Sequence, residues 1–388
     1  MTGAPPPPTP RYGEASLAEL IPSVLSALDL PGFANPLGLE PLSGVCVVVF
    51  DGLGWVQLRE HADAAPFMAA AAEEGRALTA GFPSTTSASL ASLGTGLPPG
   101  EHGLVGYTFA IPGYERPLNS LLWELYGVGP KVDLREEIVP EEFQPLPTLL
   151  ERSEAAGLPV IVIGPPDHAR SPLTRAILRG GRYEGAHTLG EVVSATMAHF
   201  VAAPRAAVYA YHPFLDTIGH LMGVGSSDWL EYLGKVDEAA AALAGRLPPG
   251  WALVITGDHG MVNLGPDERI DVDELSGLGK GVRFLAGEAR ARHVHVEPGA
   301  EEDVLAAWRE SLSDRMWVAP REEAIASGWF GPRVVDRVRP RIGDVVAVAR
   351  ARVGIFQKEV DPLQFTLIGH HGSMAADEQL VPLLEFRR

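Results

Sequence analysis

The sequence predicts an α/β fold, a mainly parallel sheet flanked by helices and carrying a smaller inserted α+β subdomain. Two patterns predict it. Short apolar, β-branched runs at residues 45–50 (VCVVVF), 77–80, 160–163, 206–211, 251–256 and 365–368 alternate with helix-spaced stretches at 17–28, 55–74, 148–156, 189–201 and 228–247. Continuous apolar runs read as strands buried on both faces, as in a parallel sheet, and their alternation with helices builds crossover units. The second pattern is a break in this rhythm. Between 265 and 355, strand-like runs at 282–285, 293–297 and 345–349 share one amphipathic helix near 300–313. The expected division is therefore a disordered leader at 1–15, a main α/β domain from 16–264 and 356–388, and an inserted cap subdomain at 265–355.

A chain of 388 residues can bury a large core, and 46% hydrophobic with 21% charged residues is ordinary for a globular protein. Its 31 basic and 49 acidic side chains leave a net charge of −18. That balance argues against a nucleic-acid polymer or an acidic membrane as partner. Small anionic substrates stay open to it, because bound metal ions invert a local field. The single cysteine, Cys46, lies inside an apolar run, so it reads as a core residue and no disulfide can form within the chain. The opening MTGAPPPPTP lacks the basic-then-apolar pattern of a secretory signal, and its prolines read as an extended leader. No apolar stretch reaches the roughly 18 residues a spanning helix needs. The expected location is cytoplasmic.

Residues able to do chemistry cluster where the predicted strands end, which is where open α/β sheets place their ligands. The first run stops at Asp51-Gly52-Leu53-Gly54. Asp51 suits a ligand there and equally the N-cap of the following helix. The stretch FPSTTSASLASLGTG at 82–96 carries four successive hydroxyls, Ser84, Thr85, Thr86 and Ser87, at the start of a helix. Free N–H groups and the positive end of the helix dipole make such a position an anion site, although Ser/Thr runs more commonly serve as caps. Asp216 and His220 are four apart, so one helical turn aims both at a shared ion. Asp258 and His259, framed by glycines, form a second half-site, and His370 and His371 follow the last run.

Other polar residues read more blandly. Asp167 and His168 end another strand and rank second as site candidates. His102, in a Gly-rich turn, reads as structural, and His293 and His295 as packing or surface residues. The arginines at 333, 337, 339 and 341 read as a solvated face. The aromatic segment 107–145 reads as core or lid, with one or two rings, Tyr107 among them, free to line a pocket. Asp51, Asp216, Asp258, His220, His259 and His371 suffice for two three-ligand metal sites. Paired divalent ions about 4 Å apart clamp the attacking and leaving oxygens of an in-line displacement, with a nearby hydroxyl as nucleophile.

Five stretches, VVVFDGLG, FPSTTSASLASLGTGLPPGEHG, DTIGHLMG, TGDHGM and HHGS, occur in this order over nearly the whole chain. In them the chain resembles the alkaline phosphatase superfamily, specifically its nucleotide pyrophosphatase/type I phosphodiesterase branch. The resemblance implies an alkaline-phosphatase-like fold and two divalent metal ions, zinc with manganese as the alternative. It implies that Asp51, Asp258 and His259, with the Thr86 oxygen, hold one ion, and that Asp216, His220 and His371 hold the other. It singles out Thr86 as nucleophile, as the threonine three residues after the proline of the Phe-Pro segment. It prefers His371 to His370, because the family's last ligand directly precedes glycine. The chain departs from the family where many diesterases have Phe-Pro-Asn, since Ser87, Ala88 and Ser89 stand there. Ser89, shorter than Asn, becomes the candidate phosphate contact. No C/S-x-P-x-R segment lies near 82–90, which disfavours a sulfatase.

The implied activity is hydrolysis of a small phosphoric ester or nucleotide, of phosphodiesterase or nucleotide pyrophosphatase type, through a phospho-threonine intermediate. A phosphosugar mutase or phosphonate hydrolase of the same superfamily is the alternative, differing in segments 107–145 and 265–355. A non-catalytic metal-binding protein is a third reading, against which the complete ligand set argues.

Overall fold

Seven strands form the central sheet, in the order Arg76–Thr79, Leu380–Arg387, Trp251–Thr256, Gly44–Phe50, Ala207–His212, Val160–Gly164, Arg182–Gly185. The computed structural model describes all residues except 1–5, 203–204 and 276. The last five strands in that order are parallel to one another. Leu380–Arg387 runs antiparallel to both strands beside it. The sheet is therefore mainly parallel, and its middle strand shows why the sequence dictates this. Val45, Val47 and Val49 enter one core with Leu17, Leu90 and Leu149, whereas Cys46, Val48 and Phe50 enter the other with Met68, Phe200 and Leu233. A strand buried on both faces has no polar side to alternate with. Cys46 is a buried free thiol. Among the described residues no helix is long and apolar enough to cross a membrane.

The segment inserted after residue 265 forms a four-stranded antiparallel sheet, in the order Val282–Glu288, Ala291–Val296, Val345–Ala349, Met316–Pro320. The helix Glu301–Leu312 covers one face, packing Val304, Trp308 and Leu312 on Leu285, Val294 and Ala347. The other face sends Ala291, Val346 and Val348 into the core of the main sheet, beside Phe330. This shared core fixes the insertion over the carboxyl ends of the parallel strands.

Several local expectations differ from the structure. The helix expected over 55–74 breaks into Trp55–Glu60 and Pro66–Glu74, because the Pro66 ring excludes helical backbone at Ala65. The strand expected at 365–368 is the end of a short helix, Pro362–Thr366, and the strand is confined to Gly369–His370. Asp361 caps that helix by accepting from the Gln364 N–H (2.9 Å), and Pro362 suits its first turn. Of the expected disordered leader, residues 1–5 lie outside the described residues, but the part just before residue 16 is held. The Arg11 N–H donates to the Thr79 hydroxyl (2.9 Å), and the Tyr12 hydroxyl accepts from the Phe82 N–H (2.9 Å) while donating to the Trp329 carbonyl (3.2 Å). Among the four arginines, Arg341 is not solvated. It is buried, donates to the Gly103 carbonyl (2.8 Å) and lies 3.6 Å from the centre of the Phe143 ring.

Candidate active site

Adjacent parallel strands bring the first group of candidates together. Val49 of Gly44–Phe50 is in register with Thr256 of Trp251–Thr256, so Asp51 and Asp258, each two residues further on, leave the sheet at the same edge. With His259 they form a buried group whose potential ligand atoms all lie within 4.8 Å of one another. The strand on the other side, Ala207–His212, feeds the helix Phe214–Met222, where one turn separates Asp216 and His220, whose facing atoms are 3.4 Å apart. His371 completes this second group, again within 4.8 Å. It is delivered by Gly369–His370, which pairs antiparallel with Val262–Asn263 just after His259. Gly52 lets the two groups approach, since its φ is +76° and a Cβ there would lie 2.9 Å from the Asp216 Cα.

The hydrogen bonds around these side chains are made by their outward atoms, and of the inward ring nitrogens His259 Nε2 meets the Thr86 hydroxyl. His259 Nδ1 bonds the Gly260 carbonyl (3.0 Å), His220 Nδ1 the Gly369 carbonyl (2.7 Å) and His371 Nδ1 the Ser84 carbonyl (2.9 Å). A nitrogen facing a carbonyl must carry the proton, so Nε2 of each ring holds the lone pair. Asp258 Oδ1 accepts from the N–H groups of Gly52 (3.0 Å) and His259 (3.1 Å), and Asp51 Oδ2 accepts from the Tyr211 hydroxyl. Asp51 Oδ1, Asp258 Oδ2 and Asp216 Oδ1 are buried without a hydrogen-bond partner. Burial and the nearby Asp258 and Asp216 charges push the Asp51 carboxyl well above its usual range. Burial and the His259 and His220 rings hold His371 well below the usual histidine range. Converging unpaired lone pairs are costly in a protein interior, and a cation is what relieves them. The residues fit: each group presents one or two imidazole nitrogens and one or two carboxylates, a donor set that could hold a divalent metal ion. His370 stays outside, its Nε2 turned to the Leu367 carbonyl (3.1 Å).

The hydroxyl run is sorted by its contacts. Ser84 Oγ donates to the Ser373 carbonyl (2.7 Å) and Ser87 Oγ to the Gly106 carbonyl (2.9 Å), and Thr85 is buried beside Glu288. Thr86 is the first residue of the helix Thr86–Thr95 and the only one of the four that is not fully buried. Its Oγ1 lies 3.2 Å from His259 Nε2. Ser84 also fixes the loop that carries His371, through bonds with both the N–H and the carbonyl of Gly372. Ser89, the expected phosphate contact, is fully buried and lines neither cavity described next, so the structure does not bring it to the site.

Two cavities open onto this centre, and Thr86, Asp216 and Leu121 line both. The first encloses about 820 Å³, including its open mouth, between Leu90, Val162, Ile177, Tyr209 and Tyr211, with His168 on its wall. The second, about 900 Å³, runs beneath the insertion and is lined by Tyr107, Glu288, Asp361, Gln364 and His371. Asp167 is exposed and lines neither. His102 is buried, with Nδ1 accepting from the Leu104 N–H (3.1 Å). His293 and His295 are buried packing residues. Sequence reasoning missed Tyr211 and Glu288. Two tyrosines spaced by two on a doubly buried strand were the available signal for the first. An acid closing an apolar strand was the signal for the second.

Comparison with known proteins bears on this geometry. A family model described as type I phosphodiesterase / nucleotide pyrophosphatase matches residues 45–374. No curated protein sequence matches the chain significantly. Among solved structures, the chain is similar to murine ectonucleotide pyrophosphatase/phosphodiesterase 5, an inactive variant in complex with AMP, at 20% identity and a TM-score of 0.66, covering 88% of this chain and 87% of that one. The human counterpart gives 20% identity and 0.64 over the same shares. Phosphonoacetate hydrolase from Sinorhizobium meliloti 1021, in complex with phosphonoformate, gives 21% and 0.66, covering 89% and 90%. At these identities the structures speak to the fold. The family match takes in both candidate ligand groups, Thr86 and the insertion, and on that match the chain belongs to the type I phosphodiesterase / nucleotide pyrophosphatase family, hydrolases of phosphoric ester or pyrophosphate bonds.

Proposed function

We propose that the protein is a phosphodiesterase that works through a covalent phospho-threonine on Thr86. The observation that carries this reading is the placement of the Thr86 hydroxyl at the buried group Asp51–Asp258–His259, with Asp216–His220–His371 adjoining it. Asp51, Asp258 and His259 would hold one divalent ion and Asp216, His220 and His371 the other, zinc or manganese by their mixed nitrogen and oxygen donors. When bound, such ions neutralise phosphoryl charge and acidify a nearby hydroxyl. The Thr86 oxygen attacks phosphorus in line, the bond to the leaving oxygen breaks and that oxygen takes up a proton. Water then cleaves the Thr86 ester, releasing phosphate monoester and restoring the hydroxyl. The N–H groups of residues 86–88, first in their helix, face the phosphoryl oxygens and orient them.

Two cavities flanking one nucleophile favour a phosphorus with two ester arms over a monoester, which would leave one cavity empty. The AMP complex of the murine neighbour, an inactive threonine-to-alanine variant by its description, supports both the nucleotide-like arm and the threonine. The phosphonate in the bacterial neighbour supports a second reading, phosphonate hydrolysis at the same centre. The test is turnover of bis-p-nitrophenyl phosphate, p-nitrophenyl phosphate and a phosphonate, with zinc or manganese, by wild type and Thr86→Ala. Wild type should prefer the diester, and the variant should lose about 10³-fold or more in kcat. Full activity in Thr86→Ala removes the nucleophile assignment. Turnover of none of the substrates by wild type removes the hydrolase reading.

A further inference from the structure

The cavity beneath the insertion is acidic in a specific way. Its lining holds the carboxylates of Glu288, Asp361 and Asp216 and, among the described residues, no lysine or arginine. Asp216 belongs to a ligand group, so Glu288 and Asp361 set the charge of the remainder. Glu288 ends the strand Val282–Glu288 and is 5% exposed. Its Oε1 accepts from the Tyr107 N–H, the Thr85 hydroxyl lies beside the carboxyl group, and Oε2 is buried with no geometric hydrogen-bond partner. Asp361 already accepts one hydrogen bond at each oxygen, Oδ1 from the Gln364 N–H and Oδ2 from the Tyr126 hydroxyl, so its main contribution is charge. The nearest basic group behind the wall, Arg292, donates to the Ile355 carbonyl (2.8 Å) and to Gln364 Oε1 (3.0 Å) and is not part of the lining. The Tyr107 ring stands edge-on to Tyr126, with centroids 5.8 Å apart, and gives the cavity an aromatic wall.

A buried carboxylate oxygen with an unused lone pair calls for a donor, and a charged donor pairs with it most strongly. A neutral arm leaves that oxygen unpaired, and an anionic arm meets two like charges. We propose that this cavity is a subsite for an organic ammonium group carried by one arm of the phosphodiester, with Glu288 Oε2 accepting its N–H, Asp361 adding charge and the Tyr107 ring as the wall it rests on. The subsite rests on the diesterase reading above. Burial holds the Glu288 carboxyl up at about 7, and an ammonium beside it would draw that value down. Glu288 also lies beside the His371 loop, since a Cβ on Gly372 would come within 2.9 Å of the Glu288 Cβ. The ammonium arm is thereby placed on the His371 side of phosphorus.

The test compares two p-nitrophenyl phosphodiesters of matched size, one with an aminoethyl arm and one with a propyl arm, plus the trimethylammonium analogue, which is cationic without N–H donors. Wild type should favour the aminoethyl ester over the propyl ester by about tenfold in kcat/KM, mostly through KM, with the trimethylammonium ester between them. The ratio should fall toward one in Glu288→Gln and recover in part in Glu288→Asp, with metal content unchanged in both. Equal kcat/KM for the two esters in wild type overturns the subsite, as does a ratio untouched by Glu288→Gln. Loss of a metal ion in that variant overturns it too, by making Glu288 a metal ligand. Calorimetric binding of aminoethyl phosphate against propyl phosphate to metal-loaded Thr86→Ala protein separates the subsite from the reaction. A preference for the ammonium there, without turnover by wild type, sinks the hydrolase reading and keeps the subsite; no preference sinks the subsite even where turnover is observed.

Discussion

The two candidate ligand groups are built differently. Asp51, Asp258 and His259 are all buried, whereas Asp216, His220 and His371 are all partly exposed. The buried group sits on neighbouring strand ends, with Asp258 held by two backbone N–H groups and Asp51 by a tyrosine hydroxyl. The other group is assembled from a helix turn and a distant loop, on the side facing solvent and both cavities. The comparison teaches a division of labour. On the reading proposed above, the buried group would hold Thr86 in place, and the more exposed group would be the one that substrate and solvent meet, with Asp51 alone of the buried group lining a cavity.

The sharpest way to break this picture is to change one atom of the buried group. In Asp258→Asn the carbonyl can still accept from Gly52 and His259, while the inward oxygen becomes an amide. Activity should drop by about 10³-fold or more and one metal ion per chain should be lost, measured by steady-state kinetics and elemental analysis. Full metal content with normal turnover would end the assignment. Chelation sharpens the contrast. With limiting chelator the ion at the exposed group should leave first, so metal release should be biphasic, with phases separated by about tenfold or more in rate. A single phase would show that the groups do not differ in access. A smaller effect is expected from Tyr211→Phe, which removes the donor to Asp51 Oδ2. Metal affinity at the buried group should weaken by about tenfold, as read by competition with a calibrated chelator.

The smallest effect lies away from both groups and serves as their control. Burial lowers His102 to about 3 and His293 to about 4, from an ordinary 6.5. The unfolded chain therefore binds more protons than the native one below pH 6.5. Stability should be unaffected above that pH and fall as pH drops below it, on the order of 1.4 kcal/mol per pH unit for each ring, levelling off near pH 3 to 4. Thermal melts from pH 7 to 5 should show this slope, and His102→Gln should flatten it. An unchanged slope in the variant would assign the acid lability to other groups.

Much of the fold was legible because parallel strands announce themselves as continuous β-branched runs, as VCVVVF and WALVIT do here. Asp51, Asp216, Asp258 and His259 could be read because each lies within a few residues of such a run, whereas the choice of His371 and the sorting into two groups rested on the family resemblance. What lay beyond reading was decided by distant partners. The Asp361 cap turned an apolar stretch into a helix. Tyr12 was drawn from a proline-rich leader onto Phe82 and Trp329, more than 60 and 300 residues away. Glu288 looks like any strand-ending acid until the insertion folds over the site, and Arg341 like any surface arginine until Phe143 meets it. Among the four adjacent hydroxyls the residues alone make no choice; the family resemblance singles out Thr86, and in the structure Ser84 and Ser87 donate to backbone carbonyls.

The central proposal is that the Thr86 hydroxyl is the nucleophile that takes up the phosphoryl group in the covalent step. Acid quenching of metal-loaded enzyme during turnover of a p-nitrophenyl phosphodiester, followed by peptide mass spectrometry, tests it directly. The account predicts a phosphoryl ester on Thr86 in wild type and none in Thr86→Ala. Steady turnover with the adduct on another residue, or rapid turnover by Thr86→Ala, would contradict it.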